Sequence, residues 1–228
     1  QKPKGRTIVI GAGKGAAHLA QEFERLWDGP LEGLVVTRYG YAVPCQSIEI
    51  LEASHPVPDQ AGLEAAQKLT GLLTDLSQDD LVVALITGGG SALLPAPPQG
   101  LSLDHEIALN KALLASGAPI GVMNAIRKHA SDIKGGRLAA LAHPAKVVSL
   151  IVSDIPGDIA SQVASGPTVP DTVTAEQALD YIKLYDMDLP AEVLAHIGSE
   201  ASAAPKPEDA VFDGNKVQIC ASAQVSLQ

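Results

Sequence analysis

Near its start the chain reads Thr7-Ile-Val-Ile-Gly-Ala-Gly-Lys-Gly-Ala16. Four β-branched residues in a row favour a short buried strand, and the glycines behind them favour a tight turn into a helical pattern. Gly11-Ala-Gly-Lys-Gly-Ala16 fits G-x-G-x-x-G/A between a strand and a helix, the spacing of a dinucleotide-binding turn. The same alternation continues downstream. Strand candidates lie at 7–10, 34–37, 48–51, 81–86, 147–152 and, weakly, 217–220. Helix candidates lie at 16–27, 60–76, 103–115, 122–142 and 175–185. Asp59 is placed to cap the second, whose stripe is Leu63, Ala66, Leu69, Leu72 and Leu73. This alternation predicts an α/β fold, a Rossmann-like three-layer αβα sandwich with a mainly parallel sheet.

Composition narrows the function. The chain has 228 residues, 46% hydrophobic and 18% charged, which suits one large core or two small ones and excludes a disordered chain. Aromatic residues make up 3%, too few for a base-stacking platform, and the net charge of −10 repels phosphate backbones and anionic lipids. Any anion must therefore be met by a local basic pocket. No apolar run reaches the roughly 18 residues of a spanning helix, and no signal peptide is seen. Two cysteines, Cys45 and Cys220, make no disulfide framework, so a reducing cytoplasm is the expected compartment. The expected partners are small molecules rather than nucleic acid or membrane, and a homodimer is compatible with the sequence.

In an open parallel sheet the ligand crevice lies beyond the carboxyl ends of the strands. Five predicted strand ends carry small, flexible or chemically active residues. Behind the first is the Gly11–Gly15 turn, with Lys14 inside it as a point charge for an anion. The acidic ribose partner expected about 20 residues on is missing, and Arg38 ends the second strand instead. A tight turn with a solvated lysine is the plainer alternative. Thr87-Gly-Gly-Gly-Ser-Ala92 follows a fully apolar strand, so Gly88, Gly89, Gly90 and Ser91 read as a phosphate-binding loop, or as a hinge. Ser54-His-Pro-Val-Pro-Asp59 is a rigid loop in which Ser54 and His55 either bind substrate or are satisfied locally. Histidines are otherwise scattered, with no zinc spacing.

Two further segments carry charge. Arg127-Lys-His-Ala-Ser-Asp-Ile-Lys-Gly-Gly-Arg137 sums to +3 inside an acidic chain and sits next to Asn124. With Arg127 and Lys134 seven residues apart, nearly on one helix face, an anionic-substrate pocket is expected; a solvated face is the alternative. In Ser153-Asp-Ile-Pro-Gly-Asp158, Asp154 and Asp158 can hold Mg²⁺ with waters or accept a hydroxyl proton, or they are turn residues.

Taken together, these pieces resemble the class II glycerate 2-kinases, whose second half is the MOFRL domain. The matching stretches are 11–15, 54–59, 88–93, 123–138 with Asn124-Ala-Ile-Arg-Lys-His-Ala-Ser and Lys134-Gly-Gly-Arg, 153–158, and 164–170 with Ser165-Gly-Pro-Thr-Val-Pro. The resemblance runs to about residue 185. It implies ATP-dependent phosphorylation of D-glycerate at its 2-hydroxyl, with Mg²⁺. It makes Lys14 the essential lysine and brings the Gly88–Ser91 loop to the nucleotide phosphates. Val122, Ile159 and Gly15 depart from the family pattern, where an acidic residue, an aspartate and an alanine are usual.

The resulting assignment makes Lys14 and Asp154 catalytic. Ser54, His55, Asn124, Arg127 and Lys134 bind substrate, Gly11, Gly13 and Gly88–Ser91 bind the nucleotide, and Asp154 and Asp158 bind metal. Residues 1–186 are expected to form the Rossmann-like domain, with 187–228 a linker or lid leading to a further segment. The opening at Gln1 and the close at Ser226-Leu-Gln228 read as a portion of a longer protein, with the MOFRL domain lying outside it. The rival reading is an NAD(P)H-dependent hydroxypyruvate reductase of tartrate catabolism. It uses Gly11–Ala16 and Arg38 but leaves the other loops idle. A silent binding protein for small acids is a third.

Overall fold

In the computed structural model, which describes residues 2–222, the β-branched run forms β1 (Thr7–Ala12), buried along its whole length. A fully buried strand in an all-parallel environment needs no polar alternation, which is why it reads as a continuous apolar run. Five strands join it in one six-stranded sheet: β2 (Glu32–Arg38), β3 (Ile48–Ala53), β4 (Leu81–Thr87), β5 (Lys146–Val152) and β6 (Lys216–Ala221). Their order is β3-β2-β1-β4-β5-β6, and every pairing is parallel. The chain builds outward from β1 to β3, then returns to the other side of β1 to lay down β4, β5 and β6. The order reverses between β1 and β4, and a crevice opens there at the carboxyl ends.

Helices cover both faces, as expected of the three-layer sandwich. Side chains alternate along the strands, so Val9, Val35, Val83 and Leu85 meet Ala16 and Ala20 of α1 (Ala16–Leu26) on one face. On the other face Ile8, Ile10, Val36, Val82 and Ile86 pack with Ala66 and Leu69 of α2 (Gln60–Gly71). Asp59 caps α2 as predicted, its Oδ1 accepting from the Gly62 N–H at 3.0 Å. The helix ends at Gly71 rather than near residue 76, consistent with the low helix propensity of glycine.

Between β4 and β5 lie α3 (Gly90–Leu93), α4 (Leu103–Ala115), α5 (Ile120–Lys128) and α6 (Arg137–Leu141). The stretch 122–142 is thus two helices, not one. Gly135 and Gly136, at φ of 65° and 85°, turn the chain through left-handed backbone that only glycine adopts cheaply. After β5 come α7 (Ala175–Leu184) and α8 (Ala191–Ile197). With α4 and α5 they enclose a separate apolar cluster that includes Leu109, Leu113, Ile126, Ile182, Val193 and Ile197. Residues 187–215, thin in strand signals, therefore contain a helix with a buried face, and β6 follows beside β5. The chain end at 226–228 lies outside the described residues.

Candidate active site

At the carboxyl ends of β1 and β4 the two glycine turns bond to each other. The Lys14 N–H donates to Gly88 O (2.9 Å), the Gly15 N–H to Thr87 Oγ1 (3.1 Å), and the Gly13 N–H to Val36 O (3.1 Å). Gly13, at φ 139°, leaves no room for a Cβ, which would overlap Thr87. Gly11 lies within β1, its Cα against Leu85 of β4. The first turn therefore folds against the second with three of its amides already engaged, and Lys14 is its exposed charged side chain. The second turn donates none of those bonds. Its Gly89, Gly90 and Ser91 amides stand at the start of α3, where a helix has no internal acceptors for them.

A cleft of about 230 Å³ opens over these turns. Lys14, His55, Gly89, Ser91, Asn124, Arg127 and Asp154 all line it. A Cβ on Gly89 would stand 2.9 Å from Lys14 Cε and 3.0 Å from His55 Nε2, so both side chains lie over bare backbone. A Cβ on Gly88 would overlap the Asp154 carboxylate. Burial, then Lys14 and Arg38, hold the His55 imidazole below its usual pKa, with Asp154 opposing.

On the α4–α5 side, Arg127 is fixed by neutral partners. Its Nε donates to Asn110 Oδ1 (2.9 Å) and its Nη1 to Asn124 Oδ1 (3.1 Å). Burial lowers its pKa and Glu106 raises it, yet no carboxylate forms an ion pair with it among the described residues. Such a guanidinium keeps its charge available for an incoming anion.

The other predicted site residues fall elsewhere. Lys134 is not on a helix face with Arg127. It is buried, its Nζ 2.7 Å from Glu106 Oε1 and 3.3 Å from Leu94 O. The helix that carries Arg127 ends at Lys128, so the helical spacing on which a shared face depended is lost before Lys134. Arg137 binds the carbonyls of Lys128, Lys134 and Ser202. Asp158, at φ 51°, and Ser54, whose N–H serves Asp59, do not line the cleft. Asn110, Gln162, Ser165 and Thr87 escaped the sequence reading. A lone amide inside a helix carries no sequence signal, although Ser165 sits in the small Ser-Gly-Pro-Thr loop. A larger hollow, about 540 Å³, surrounds His129 and residues 198–208, but both ring nitrogens of His129 already face carbonyl oxygens. Chemistry favours the smaller cleft.

Residues 1–198 match a family described as "Domain of unknown function (DUF4147)". The chain belongs to that family. It is 54% identical over 199 residues to a putative hydroxypyruvate reductase of Agrobacterium vitis, covering 86% of this chain and 52% of that one. It is 38% identical over 221 residues to the D-glycerate 2-kinase of Thermotoga maritima, covering 96% and 53%. The crystal structure of a Thermotoga maritima glycerate kinase superposes with a TM-score of 0.86 at 37% identity, covering 96% and 52%. The resemblance to glycerate 2-kinases and the α/β sheet expected from the sequence are both borne out. The chain spans about half the length of these relatives.

Proposed function

We propose that this chain forms the N-terminal half of an ATP-dependent glycerate 2-kinase that phosphorylates the 2-hydroxyl of D-glycerate. One observation carries the reading: two cations that form no ion pair with a carboxylate among the described residues, Lys14 and Arg127, line one cleft together with Asp154. Phosphoryl transfer needs charge stabilisation and positioning more than covalent help. Arg127, docked on Asn110 and Asn124, presents a directed cation to the glycerate carboxylate. Lys14 meets the charge that spreads over the transferring phosphoryl oxygens. The Gly88–Ser91 turn leaves bare backbone for the nucleotide phosphates to approach. Neutral His55 offers a hydrogen bond beside Lys14.

Among the described residues no group of three or more His, Cys, Asp or Glu could hold a metal ion. That suits Mg²⁺, which usually takes one or two carboxylates, substrate phosphates and waters. Asp154, resting on Gly88 and exposed to the cleft, is the carboxylate in place to hold it or to accept the hydroxyl proton. When bound, the ion would neutralise charge on the phosphates.

On this reading the Rossmann-like unit extends past residue 186, because α8 packs in one apolar cluster with α4 and α5 and β6 pairs with β5 in the sheet. The enzyme acts on small molecules in the cytoplasm, the compartment expected from two cysteines that make no disulfide framework. A reductase would need the first turn's amides for a dinucleotide pyrophosphate. Those of Gly13, Lys14 and Gly15 are engaged, which disfavours it. Full-length protein supplied with D-glycerate and ATP should release ADP and 2-phosphoglycerate. Oxidation of NADPH by hydroxypyruvate with no glycerate-dependent ADP release would reverse the assignment.

A further inference from the structure

The hydrogen bonds around Asn124 fix the direction of one proton. Arg127 Nη1 donates to Asn124 Oδ1, and Asn124 Nδ2 donates to the Gln162 carbonyl at 2.9 Å, so the amide stands only one way round. Ser165 Oγ lies 2.9 Å from that Oδ1, an oxygen that can only accept, and so gives it its single proton. Ser91 Oγ lies 3.0 Å from Ser165 Oγ. With the Ser165 proton committed, Ser91 must be the donor. The Ser91 hydroxyl therefore turns lone pairs, not its proton, towards the cleft it lines.

This inverts the role the sequence suggests. A phosphate oxygen is itself an acceptor and gains nothing from a hydroxyl oriented so, whereas a cation does. The orientation is built into the fold at some cost. Ala164 and Ser165 hold left-handed backbone, at φ of 52° and 61°, which non-glycine residues occupy only when their surroundings impose it. Here the Gly135 and Gly136 N–H groups impose it by donating to the carbonyls of Ser165 (3.1 Å) and Gly166 (2.8 Å). The Lys134-Gly-Gly-Arg turn, absent from the cleft, thus acts on it through Ser165. A second hard oxygen ligand lines the same cleft, the Asp154 carboxylate that lies against Gly88.

We propose that Ser91 Oγ, its proton held by Ser165, is a ligand of the divalent cation, sharing it with Asp154 and the nucleotide phosphates. This rests on the kinase reading of the same cleft. Hydroxyl and carboxylate oxygens with phosphates and waters make a set suited to Mg²⁺. Ser165 is then a positioning residue.

Mn²⁺ binding to the full-length protein, followed by its paramagnetic resonance signal with and without ADP, tests this without turnover. Ser91→Ala should loosen Mn²⁺ held with ADP by about tenfold or more, on the scale of altered metal shells. Ser165→Ala frees the Ser91 proton to rotate into the cleft and should loosen it by a smaller factor. Ser91→Thr keeps the oxygen and should keep the affinity, and Ser91→Cys should trade Mn²⁺ for the softer Cd²⁺. An unchanged Mn²⁺ constant in Ser91→Ala overturns the proposal, as does a wild-type protein that takes up no Mn²⁺ with ADP. Loss of D-glycerate binding with Mn²⁺ unaffected also overturns it, assigning the lone pairs to the substrate hydroxyl. Wild-type protein that holds Mn²⁺ with ADP but ignores D-glycerate would overturn the glycerate reading and leave the ion site standing.

Discussion

Lys14 in Gly13-Lys-Gly15 and Lys134 in Lys-Gly-Gly136 both stand beside glycines, and the fold uses them in opposite ways. Lys14 is exposed at the rim of the cleft, on a turn whose own amides hold it to β4. Lys134 is 2% exposed and ends on Glu106 of α4. Neighbouring glycines allow a sharp turn in both places. What separates the two is whether a carboxylate from elsewhere in the chain lies within reach. A lysine next to glycine is therefore a turn signal first, and a site only when its charge stays unpaired.

The sharpest test of that contrast is a double dissociation. Lys134→Ala strands the Glu106 charge in the interior, and breaking a buried pair in this way costs about 3–5 kcal/mol. The denaturant midpoint should fall accordingly, while turnover per folded molecule of the full-length enzyme stays close to wild type. Equal stability with lost turnover would move Lys134 back into the site. Lys14→Ala should do the reverse. The backbone bonds of its turn survive, so the melting temperature should hold, while kcat falls by about 10²–10³, the scale of a lost charge-stabilising contact. Lys14→Arg should restore little, because Lys14 Cε already lies 2.9 Å from the place a Gly89 Cβ would take, and a broader head has nowhere to dock. Turnover within a few-fold of wild type in Lys14→Ala would reduce the residue to a solvated turn lysine.

Arg127 tests the middle case, a largely buried cation held by two amide oxygens and by no ion-paired carboxylate among the described residues. Arg127→Ala should raise KM for D-glycerate by about 10–100-fold, as expected for a lost charge-assisted hydrogen bond, and leave KM for ATP little changed. A rise shared equally by both substrates would argue that the variant has disturbed the Asn110–Asn124 support instead.

The smallest effect belongs to His55. Burial, followed by Lys14 and Arg38, keeps its folded pKa below the ordinary value of 6.5. The unfolded chain then takes up the proton first as pH falls. Its contribution to stability is therefore full above about pH 6.5 and is lost as pH drops towards the lowered folded value. Wild type should lose stability relative to His55→Gln below that pH, and parallel profiles would show that the imidazole does not feel Lys14.

The parallel sheet, its strand ends and the cleft across β1 and β4 were legible in the chain because they follow from short-range rules. Continuous β-branched runs make buried parallel strands, and glycine turns mark where they end. That Lys14, His55, Arg127 and Asp154 would come to one cleft was legible in the same way, each being close in sequence to such a turn or to a run of charge. Tertiary structure alone decided the rest. Glu106 reaches Lys134 from 28 residues away, and Ser165 meets Ser91 across 74. The amides of the first glycine turn find their acceptors on β2 and at the end of β4. Residue types announce what a side chain can do, but pairing between distant segments determines which charges are neutralised and which donors remain free. In this protein that pairing leaves Lys14 and Arg127 without an ion-paired carboxylate among the described residues and commits Lys134 to the interior.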